Sequence, residues 1–598
     1  MKVHTIASLA DIHAIEQAGQ QRWIPFTKVF DALADVARRH GDRPALTALA
    51  SADDTQPRRW TYTQLLAETG RSAKLFRSLV DDGEPRVALL LPPLPEAWFA
   101  LWGAETAGIV CPINHALSDD HLVALLNAAR ANVVVTLAAD HTAGDIGRRV
   151  QRLRKQCPTL QAVVTVGGAD ADAVNFDAGR AQFDGAALGF DTPTDAHRIA
   201  ALFHTGGTTG LPKFAQHTHG NQLNAAWGAA RLYDANPTDV MLNGFPLFHV
   251  AGAFVYGLSM LLTGAEIVLP PPAGWRDAAF LANAWPLIHA HRVTMLAMVP
   301  TVMTALLAAP RSPDHSQGVR LALTGGSPLP TELAARFEAE FSIPVRNILG
   351  MTECAGVIAI EPARAPRTPG SCGLPLPFSE VRADAEGVLR LRGANVGPGY
   401  TEPARNAGSF DDGWLITGDI GHIDAQGRVF VTGRAKDVII RGAHNIDPGV
   451  IEEALMAHPQ VAMAAAIGEP DEYAGELPVA FVIAKPGAAI DEGELLAFAS
   501  PLIPERAAIP KRITIVTALP LTAIGKIYKP GLRLQATERV IRERLLRAGL
   551  GEQVSVQGED RGGRIVLRFT LPGDPASAAV KPRLHQLMSG FALAWEIV

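Results

Sequence analysis

The sequence is poor in cysteine and in charge. Its four cysteines among 598 residues, Cys111, Cys157, Cys354 and Cys372, are widely spaced and form neither a Cys-x-x-Cys pair nor a disulfide framework. A reducing, cytoplasmic compartment is therefore expected. Charged residues make up 19% of the chain and its net charge is -6. This balance argues against a nucleic-acid-binding protein, although a local basic patch stays open.

The sequence also lacks a long apolar run. The longest uncharged apolar run, residues 250–265, is interrupted by Gly252, Gly257 and Ser259 and is followed by Glu266. Because a membrane-spanning helix needs about 20 apolar residues, we expect a buried core helix here. Contact with a membrane surface stays open. The first residues, Met-Lys-Val-His-Thr, lack the apolar core of a secretory signal.

The chain is too long for one hydrophobic core, so about two to four domains are expected. Strand and helix patterns alternate in the first half, for example at residues 87–91, 96–107 and 133–136. This alternation predicts an α/β fold with parallel sheets covered on both faces. Near residue 380, short strands separated by turns indicate a β-rich subdomain.

The last third of the chain predicts two smaller units. Strands and helices between about residues 435 and 535 indicate a small α+β domain, followed by a charged helix at 537–548. Alternating apolar residues around Asp560-Arg-Gly-Gly then predict a hairpin. The resulting division assigns residues 1–434 to a large domain, 435–540 to a small domain and 541–598 to an appended α+β extension.

A glycine- and threonine-rich loop is the most informative motif. After an apolar strand at residues 199–203 the chain reads Thr205-Gly206-Gly207-Thr208-Thr209-Gly210-Leu211-Pro212-Lys213. Glycine lets the backbone approach a ligand, and successive N–H groups in such a loop form an anion site. The loop therefore predicts phosphate binding, although its spacing is not that of the common P-loop. The alternative is a flexible turn.

Four further motifs are weak indicators when each is taken alone. A Thr-Glu pair is often the start of a helix, a Gly-Asp pair is often a turn, and a single lysine is usually a solvated surface residue. Together with the loop, their order resembles the adenylate-forming enzymes, which include acyl-CoA synthetases, firefly luciferase and the adenylation domains of peptide synthetases. The resemblance covers residues 25–535. The motifs are Leu349-Gly350-Met351-Thr352-Glu353, Thr417-Gly418-Asp419, Gly433-Arg434-Ala435-Lys436-Asp437 and Gly525-Lys526.

The resemblance implies a fold and a reaction. The fold would be a large N-terminal domain with parallel-rich sheets in αβαβα layers, a β-rich subdomain and a small mobile C-terminal domain. A carboxylic acid would attack ATP to form an acyl-adenylate, and the thiol of coenzyme A would displace AMP. The implied ligands are the acid, ATP, Mg²⁺ and coenzyme A, with no nucleic acid. A monomer and a homodimer both stay open.

The resemblance also implies residue roles around ATP. The Gly/Thr loop, from Thr205 to Lys213, would hold the β- and γ-phosphates, and Glu353, next to Thr352, would hold Mg²⁺. Asp419 would bind the ribose with help from Arg434. The adenine and acyl pockets would be bordered by Gly325, Gly326, Ser327, Leu349, Gly350 and Met351, with Leu349 replacing the aromatic residue usual in the family.

Two lysines in the C-terminal part have implied roles. Lys526 would bridge the substrate carboxylate and the α-phosphate in the adenylation step. Lys436 falls on the family's hinge position, where a residue absorbs a large backbone change during domain movement. The alternative for Lys436 is a surface charge at the end of a strand.

His249 bears on the choice of acid. The stretch Phe245-Pro-Leu-Phe-His249-Val matches the acyl-CoA synthetase version of this segment, in which the histidine position is an aromatic gate. A packed core histidine is the alternative. Amino-acid-activating relatives carry an aspartate there, so an apolar monocarboxylic acid is favoured, with fatty and aryl acids both open. Rival functions are loading of a carrier protein, a luciferase-like oxygenase and a catalytically silent scaffold.

Ala443 departs from the family pattern. Gly442 is followed by Ala443, whereas the second position is usually a glycine bordering the pantetheine tunnel. Gly206 and Phe214 are further departures in and beside the Gly/Thr loop.

We predict that Ala443→Gly leaves adenylation unchanged and preserves or raises thioester formation, because a methyl group is removed from the tunnel. Both half-reactions should be assayed, and a loss of coenzyme A ligation would contradict the prediction.

Overall fold

The computed structural model describes residues 5–185, 187–205, 213–434, 437–441, 444–522, 525–561, 565–573, 576–591 and 593–598. Numbered in chain order, the α-helices in these ranges are α1 Leu9–Gln17, α2 Gln20–Trp23, α3 Val29–His40, α4 Tyr62–Ser78, α5 Pro95–Ala107, α6 Asp119–Ala128, α7 Ile146–Leu153, α8 Phe176–Arg180, α9 His219–Leu232, α10 Ser259–Leu261, α11 Ala278–Ala282, α12 Ala284–Ala290, α13 Pro300–Ala308, α14 Thr331–Phe341, α15 Pro448–Met456, α16 Glu492–Ala499, α17 Lys529–Arg547 and α18 Ala576–Met588.

The strands are likewise numbered in chain order. They are β1 Pro44–Ala48, β2 Arg58–Thr61, β3 Arg86–Leu90, β4 Ile109–Pro112, β5 Val133–Leu137, β6 Ala162–Val166, β7 Val174–Asn175, β8 Ile199–His204, β9 Phe214–Thr218, β10 Val240–Asn243, β11 Glu266–Leu269, β12 Met295–Met298, β13 Leu321–Gly325, β14 Val345–Leu349, β15 Ala359–Ile360, β16 Leu374–Pro375, β17 Ser379–Ala383, β18 Val388–Gly393, β19 Phe410–Asp411, β20 Trp414–Ile423, β21 Val429–Arg434, β22 Ile439–Arg441, β23 His444–Ile446, β24 Val461–Asp471, β25 Gly475–Ala484, β26 Arg512–Ile515, β27 Ser555–Asp560, β28 Ile565–Thr570 and β29 Ala594–Ile597.

Two large sheets form the N-terminal part. One has the order β16-β15-β14-β13-β12-β10-β11-β1-β2 and the other β7-β6-β5-β3-β4-β8-β9. Their inner pairs are parallel, and antiparallel pairs occur only toward the edges, such as β8 with β9. The predicted parallel-rich α/β fold is confirmed. Because β13 and β14 are parallel neighbours, the loops that follow them lie side by side.

A buried helical layer separates the two sheets. Helices α5 and α9 pack on the seven-stranded sheet, and α9 also contacts a π-helix, Ala251–Leu258, which with α10 reaches the nine-stranded sheet. The buried core helix expected in the run at 250–265 is confirmed, although its first part, Ala251–Leu258, is a π-helix and not an α-helix. A Cβ on Gly257 would lie 2.5 Å from the Gly252 carbonyl oxygen, so the widened turn needs glycine. No described helix is long and apolar enough to cross a membrane.

Two smaller sheets follow. The predicted β-rich subdomain has the order β17-β18-β20-β19, with β21 also paired to β20. The small C-terminal domain has the order β23-β22-β25-β24, with β26 parallel to β25 and helices α15, α16 and α17. The expected charged helix begins earlier than predicted, at Lys529, because Pro530 is accommodated in its first turn. The division of the chain into three domains stays a prediction, and its boundary at 541 falls inside α17.

The appended extension is a sheet covered by a helix. β27 pairs with β28 in the predicted hairpin, and β29 adds parallel to β28. Leu567 and Phe569 are buried with Leu584 of α18 and with Ile541 and Leu545 of α17. The extension therefore shares its core with the last half of α17.

A buried polar cluster joins α5 to α9. The Glu105 carboxylate lies 3.1 Å from His219 Nδ1, and both side chains are almost fully buried. With its amide nitrogen facing the carboxylate, Gln222 donates to both Glu105 oxygens, at 2.9 and 3.1 Å. Glu105 therefore satisfies two polar side chains that burial separates from water.

Removal of that carboxylate should destabilise the large domain. We expect Glu105→Ala to lower its free energy of unfolding by about 1–3 kcal/mol, because buried donors lose their acceptor. Denaturant unfolding followed by tryptophan fluorescence measures the change. Glu552→Ala, at an exposed turn, is the matched control. Equal unfolding midpoints for the two variants would contradict the prediction.

Candidate active site

The ends of the Gly/Thr loop are closed like a hairpin. His204 and Phe214 pair at the end of the β8–β9 ladder, and the Thr205 N–H donates to the Lys213 carbonyl oxygen at 2.9 Å. Phe214 is buried in the core, which accounts for an aromatic residue directly after the loop. The loop residues Gly206 to Pro212, including Gly207, Thr208, Thr209 and Gly210, lie outside the described residues, so their phosphate-binding role stays a prediction.

Lys213 lies beside a residue that sequence reasoning missed. Its ammonium group is 4.6 Å from the centre of the Tyr400 ring, and the Tyr400 hydroxyl donates to Glu353 Oε1. Burial and the Glu353 charge raise the pKa of Tyr400, which stays protonated and able to donate. The stretch Gly397-Pro-Gly-Tyr carries no motif. Backbone pairing with β9 brings it here, including the Tyr400–Ala215 bridge and the Gln216 N–H that donates to the Gly399 carbonyl oxygen at 2.9 Å.

Glu353 lies in the loop that follows β14. It lies in a single 3₁₀ turn, Thr352–Cys354, and its carbonyl oxygen accepts from Gly397 N–H at 2.9 Å. The carboxylate is buried, and one of its oxygens has no protein partner among the described residues. Mg²⁺ is commonly held by one or two carboxylates together with substrate phosphates, so this hard oxygen donor fits that ion. No group of three or more potential metal ligands occurs in the described ranges.

The predicted ribose site is a buried carboxylate paired with an arginine. Asp419 and Arg434 are directly opposite each other in the β20–β21 ladder, and Arg434 Nε donates to Asp419 Oδ1 at 2.9 Å. Asp419 N–H donates to Thr417 Oγ1 at 3.0 Å. Asp419 is buried while Arg434 is half exposed. The arginine thus holds the buried carboxylate in a fixed orientation.

Two loops of the nine-stranded sheet form the predicted adenine side. Gly325 ends β13 with no space for a side chain, since a Cβ would lie 2.6 Å from the Ile348 carbonyl oxygen. A Cβ on Gly350 would lie 1.8 Å from the Gly356 oxygen, so the loop after β14 also requires glycine. Ser327, Leu349 and Met351 are half-buried beside these glycines, and the last two pack against the core of the β-rich subdomain.

Lys526 reaches this edge from the C-terminal domain. It belongs to a tight hairpin in which Thr522 N–H donates to the Lys526 carbonyl oxygen at 2.7 Å. Thr301 of α13 donates to the Gly525 carbonyl oxygen at 3.0 Å, which joins the hairpin to the large domain. The Lys526 side chain lies directly over Gly326, where a Cβ would be 2.7 Å from Cε and 3.1 Å from Nζ. Gly326 therefore leaves the space that the lysine occupies.

The ammonium group of Lys526 is electrostatically perturbed. Burial, together with the Arg434 charge, lowers its pKa to about 8, while the Asp419 charge acts in the opposite direction. Such a shift, on a lysine that meets two other predicted site residues, is typical of functional sites.

A cluster of histidine and phenylalanine borders the lysine. Ala251 N–H donates to His249 Nδ1 at 3.1 Å, which leaves the proton of a neutral ring on Nε2. Burial, together with the charges of Lys526 and His204, lowers the pKa of His249 to about 3. Phe248 stacks on His204 at 6.1 Å and meets His115 edge-on at 6.3 Å. The cluster agrees with the predicted gate position, although its gating role stays a prediction.

His204 and His115 were missed by sequence reasoning. Burial lowers the pKa of each to about 4, so neither is charged at neutral pH. His204 comes directly before the Gly/Thr loop, and that position was a usable signal. The predicted hinge and tunnel residues Lys436, Gly442 and Ala443 lie outside the described residues.

Similarity to known proteins extends over most of the chain. The family model described as AMP-binding enzyme matches residues 33–401, and the model of the AMP-binding enzyme C-terminal domain matches residues 450–526. A marinolic acid–CoA ligase of Pseudoalteromonas sp. is 34% identical over 90% of this chain and 86% of its own length. A long-chain-fatty-acid–CoA ligase of Bacillus subtilis is 28% identical over 86% of this chain and 96% of its own length.

Solved structures match over the same region. An anthranilate CoA ligase in complex with anthranoyl-AMP has a TM-score of 0.76 and 25% identity, covering 86% of this chain and 98% of its own. ATP-bound MatB from Rhodopseudomonas palustris has a TM-score of 0.74 and 26% identity, covering 85% of this chain and 98% of its own.

The lowered pKa of Lys526 predicts a pH dependence. A lysine that loses its proton near pH 8, rather than near the ordinary 10.5, loses its charge as the pH rises through 8. The kcat/KM for ATP in acid-dependent ATP–pyrophosphate exchange should therefore fall above about pH 8, since this constant reports the free enzyme. The Lys526→Arg variant keeps its positive charge above pH 8, so its kcat/KM should not fall in this range, whatever its absolute rate. The same fall in kcat/KM in that variant would assign the titration to another group.

Proposed function

As a member of the AMP-binding enzyme family, this chain is an AMP-forming acid–CoA ligase, and we propose that its substrate is an apolar monocarboxylic acid such as a fatty acid. ATP is the nucleotide, and coenzyme A accepts the acyl group. The observation that carries the proposal is the position of Lys526, over Gly326 and within the electrostatic reach of Asp419, Arg434 and His249.

In the proposed adenylation step, the substrate carboxylate attacks the α-phosphorus of ATP and pyrophosphate leaves. Negative charge is then concentrated between the carboxylate and the α-phosphate. The ammonium of Lys526 is preorganised for that charge, because its hairpin is attached to α13 through Thr301. Asp419 would orient the ribose hydroxyls. Thioester formation follows when the coenzyme A thiol attacks the acyl carbon and AMP leaves.

Two groups would act on the pyrophosphate side. Glu353 would hold Mg²⁺ through the carboxylate oxygen that Tyr400 does not occupy, and a bound Mg²⁺ would neutralise phosphate charge. Lys213, which lies over the Tyr400 ring, is placed on the same side. The described ends of the Gly/Thr loop bring Lys213 and Thr205 together there.

An apolar acid is supported by the uncharged residues that follow His249 and by the neutral histidines beside it. The π-helix Ala251–Leu258 that follows this residue is almost entirely buried and carries no charged side chain. His115, His204 and His249 are uncharged at neutral pH, so these histidines provide no cation for a second carboxylate. Both observations favour a substrate with one carboxylate and an uncharged body.

A coenzyme A-dependent AMP-release assay tests the proposal. The panel contains fatty acids of several lengths, branched and aromatic acids, a dicarboxylic acid and a sulfonated acid. We expect the highest kcat/KM with an apolar monocarboxylic acid. Preference for a second charge would contradict the proposed substrate. Pyrophosphate exchange without a coenzyme A thioester would instead indicate loading of a carrier protein.

Lys526→Ala tests the catalytic assignment. The variant should lose about 100-fold or more in adenylation while retaining ATP binding, because a preorganised cation contributes mainly in the transition state. Pyrophosphate exchange and equilibrium ATP binding measure the two properties. Lys511→Ala removes an exposed lysine of the same domain and should match the wild type. Full activity in Lys526→Ala would show that the catalytic lysine is wrongly assigned.

A further inference from the structure

The appended extension reaches back to the base of the Lys526 hairpin. Helix α17 begins three residues after Lys526 and contributes to two cores along its length. Leu532 and Ala536 pack in the small domain with Phe481. Ile541 and Leu545 pack in the extension. One continuous helix therefore connects the lysine hairpin to the extension.

Strand β27 of the extension runs alongside this helix toward its first turn. Gly558 N–H donates to Glu538 Oε1 at 2.6 Å, and a Cβ on Gly558 would lie 2.6 Å from Leu534 Cδ1. Two residues later, at the end of β27, the Asp560 carboxylate lies 3.5 Å from the Tyr528 hydroxyl. Because β27 lies close to α17 at Gly558, Asp560 can reach Tyr528, the residue that precedes α17.

Tyr528 lies at the base of the Lys526 hairpin, two residues after the lysine. Its N–H donates to the Pro520 carbonyl oxygen at 2.7 Å, and its ring lies where a Cβ on Gly531 would be 2.9 Å away. Leu521 and Ile527 form an isolated antiparallel bridge at the base of the hairpin, next to Lys526. The tyrosine is half-buried, and its hydroxyl contacts the extension at Asp560.

From these contacts we infer that Tyr528 and Asp560 are positioning residues for Lys526, and that the extension helps to place the lysine hairpin. Thr301 contacts the hairpin at Gly525 from the large domain, and Asp560 contacts it through Tyr528 from the extension. A lysine side chain has four rotatable bonds, so the location of its ammonium group depends on how firmly the backbone beneath it is held. This inference rests on the proposed function, in which Lys526 acts in adenylation.

The test separates the two half-reactions in the full-length chain. Tyr528→Phe and Asp560→Asn should each lower kcat for acid-dependent ATP–pyrophosphate exchange by about threefold to tenfold, because misplaced catalytic groups cost rate. The KM for ATP and the transfer of a preformed acyl-adenylate to coenzyme A should not change. The double variant should be no slower than the slower single variant, since both remove one contact. Glu559→Gln, next to Asp560 but paired with Arg561, should match the wild type.

Several results would overturn this inference. Unchanged pyrophosphate exchange in Tyr528→Phe would show that the contact does not position the lysine. Equal losses in both half-reactions, accompanied by a lower melting temperature, would assign Tyr528 and Asp560 to general stability instead. Failure of the proposed function gives a different result, because the wild-type chain would then prefer an acid with a second charge, or Lys526→Ala would keep full pyrophosphate exchange.

Discussion

The partly desolvated ammonium group of Lys526 is the interaction on which the candidate site depends. Burial disfavours its charge and Arg434 disfavours it further, so the surroundings must supply space and a compensating negative charge. Gly326 supplies the space, and Asp419 supplies the negative charge. Neutral His249 adds no second positive charge beside it. Gly326, Asp419 and His249 therefore all help to accommodate the same ammonium group.

This arrangement relies on close packing around the cation. The loops after β13 and β14 approach so closely that Gly325 and Gly350 cannot carry side chains. Glu353 is fixed by Gly397 and Tyr400, which belong to a segment distant in the sequence. Rigid loops of this kind hold groups ready for charge that develops during reaction, so little reorganisation is needed at that moment.

The C-terminal domain and its extension form a second structural unit around α17. The helix packs in the small domain through Leu532 and in the extension through Ile541. Asp560 and Thr301 contact the lysine hairpin region from different directions. The attachment of the extension thus has a physical connection to the chemistry, although its sequence lies beyond the two regions that match the family.

The alternation of strands and helices and most of the charged residues of the candidate site could be predicted from the sequence, because periodicity and short motifs are local properties. The motifs at Glu353, Asp419, Arg434 and Lys526 carried recognisable spacing. Tyr400, His115 and Thr301 carried none, since each acts through neighbours that only folding brings close. The π-helix and the early start of α17 depended on Gly257 and Pro530 in their packed settings. Tertiary structure alone placed Lys526 over Gly326, because that contact requires two distant segments to meet and one of them to lack a side chain.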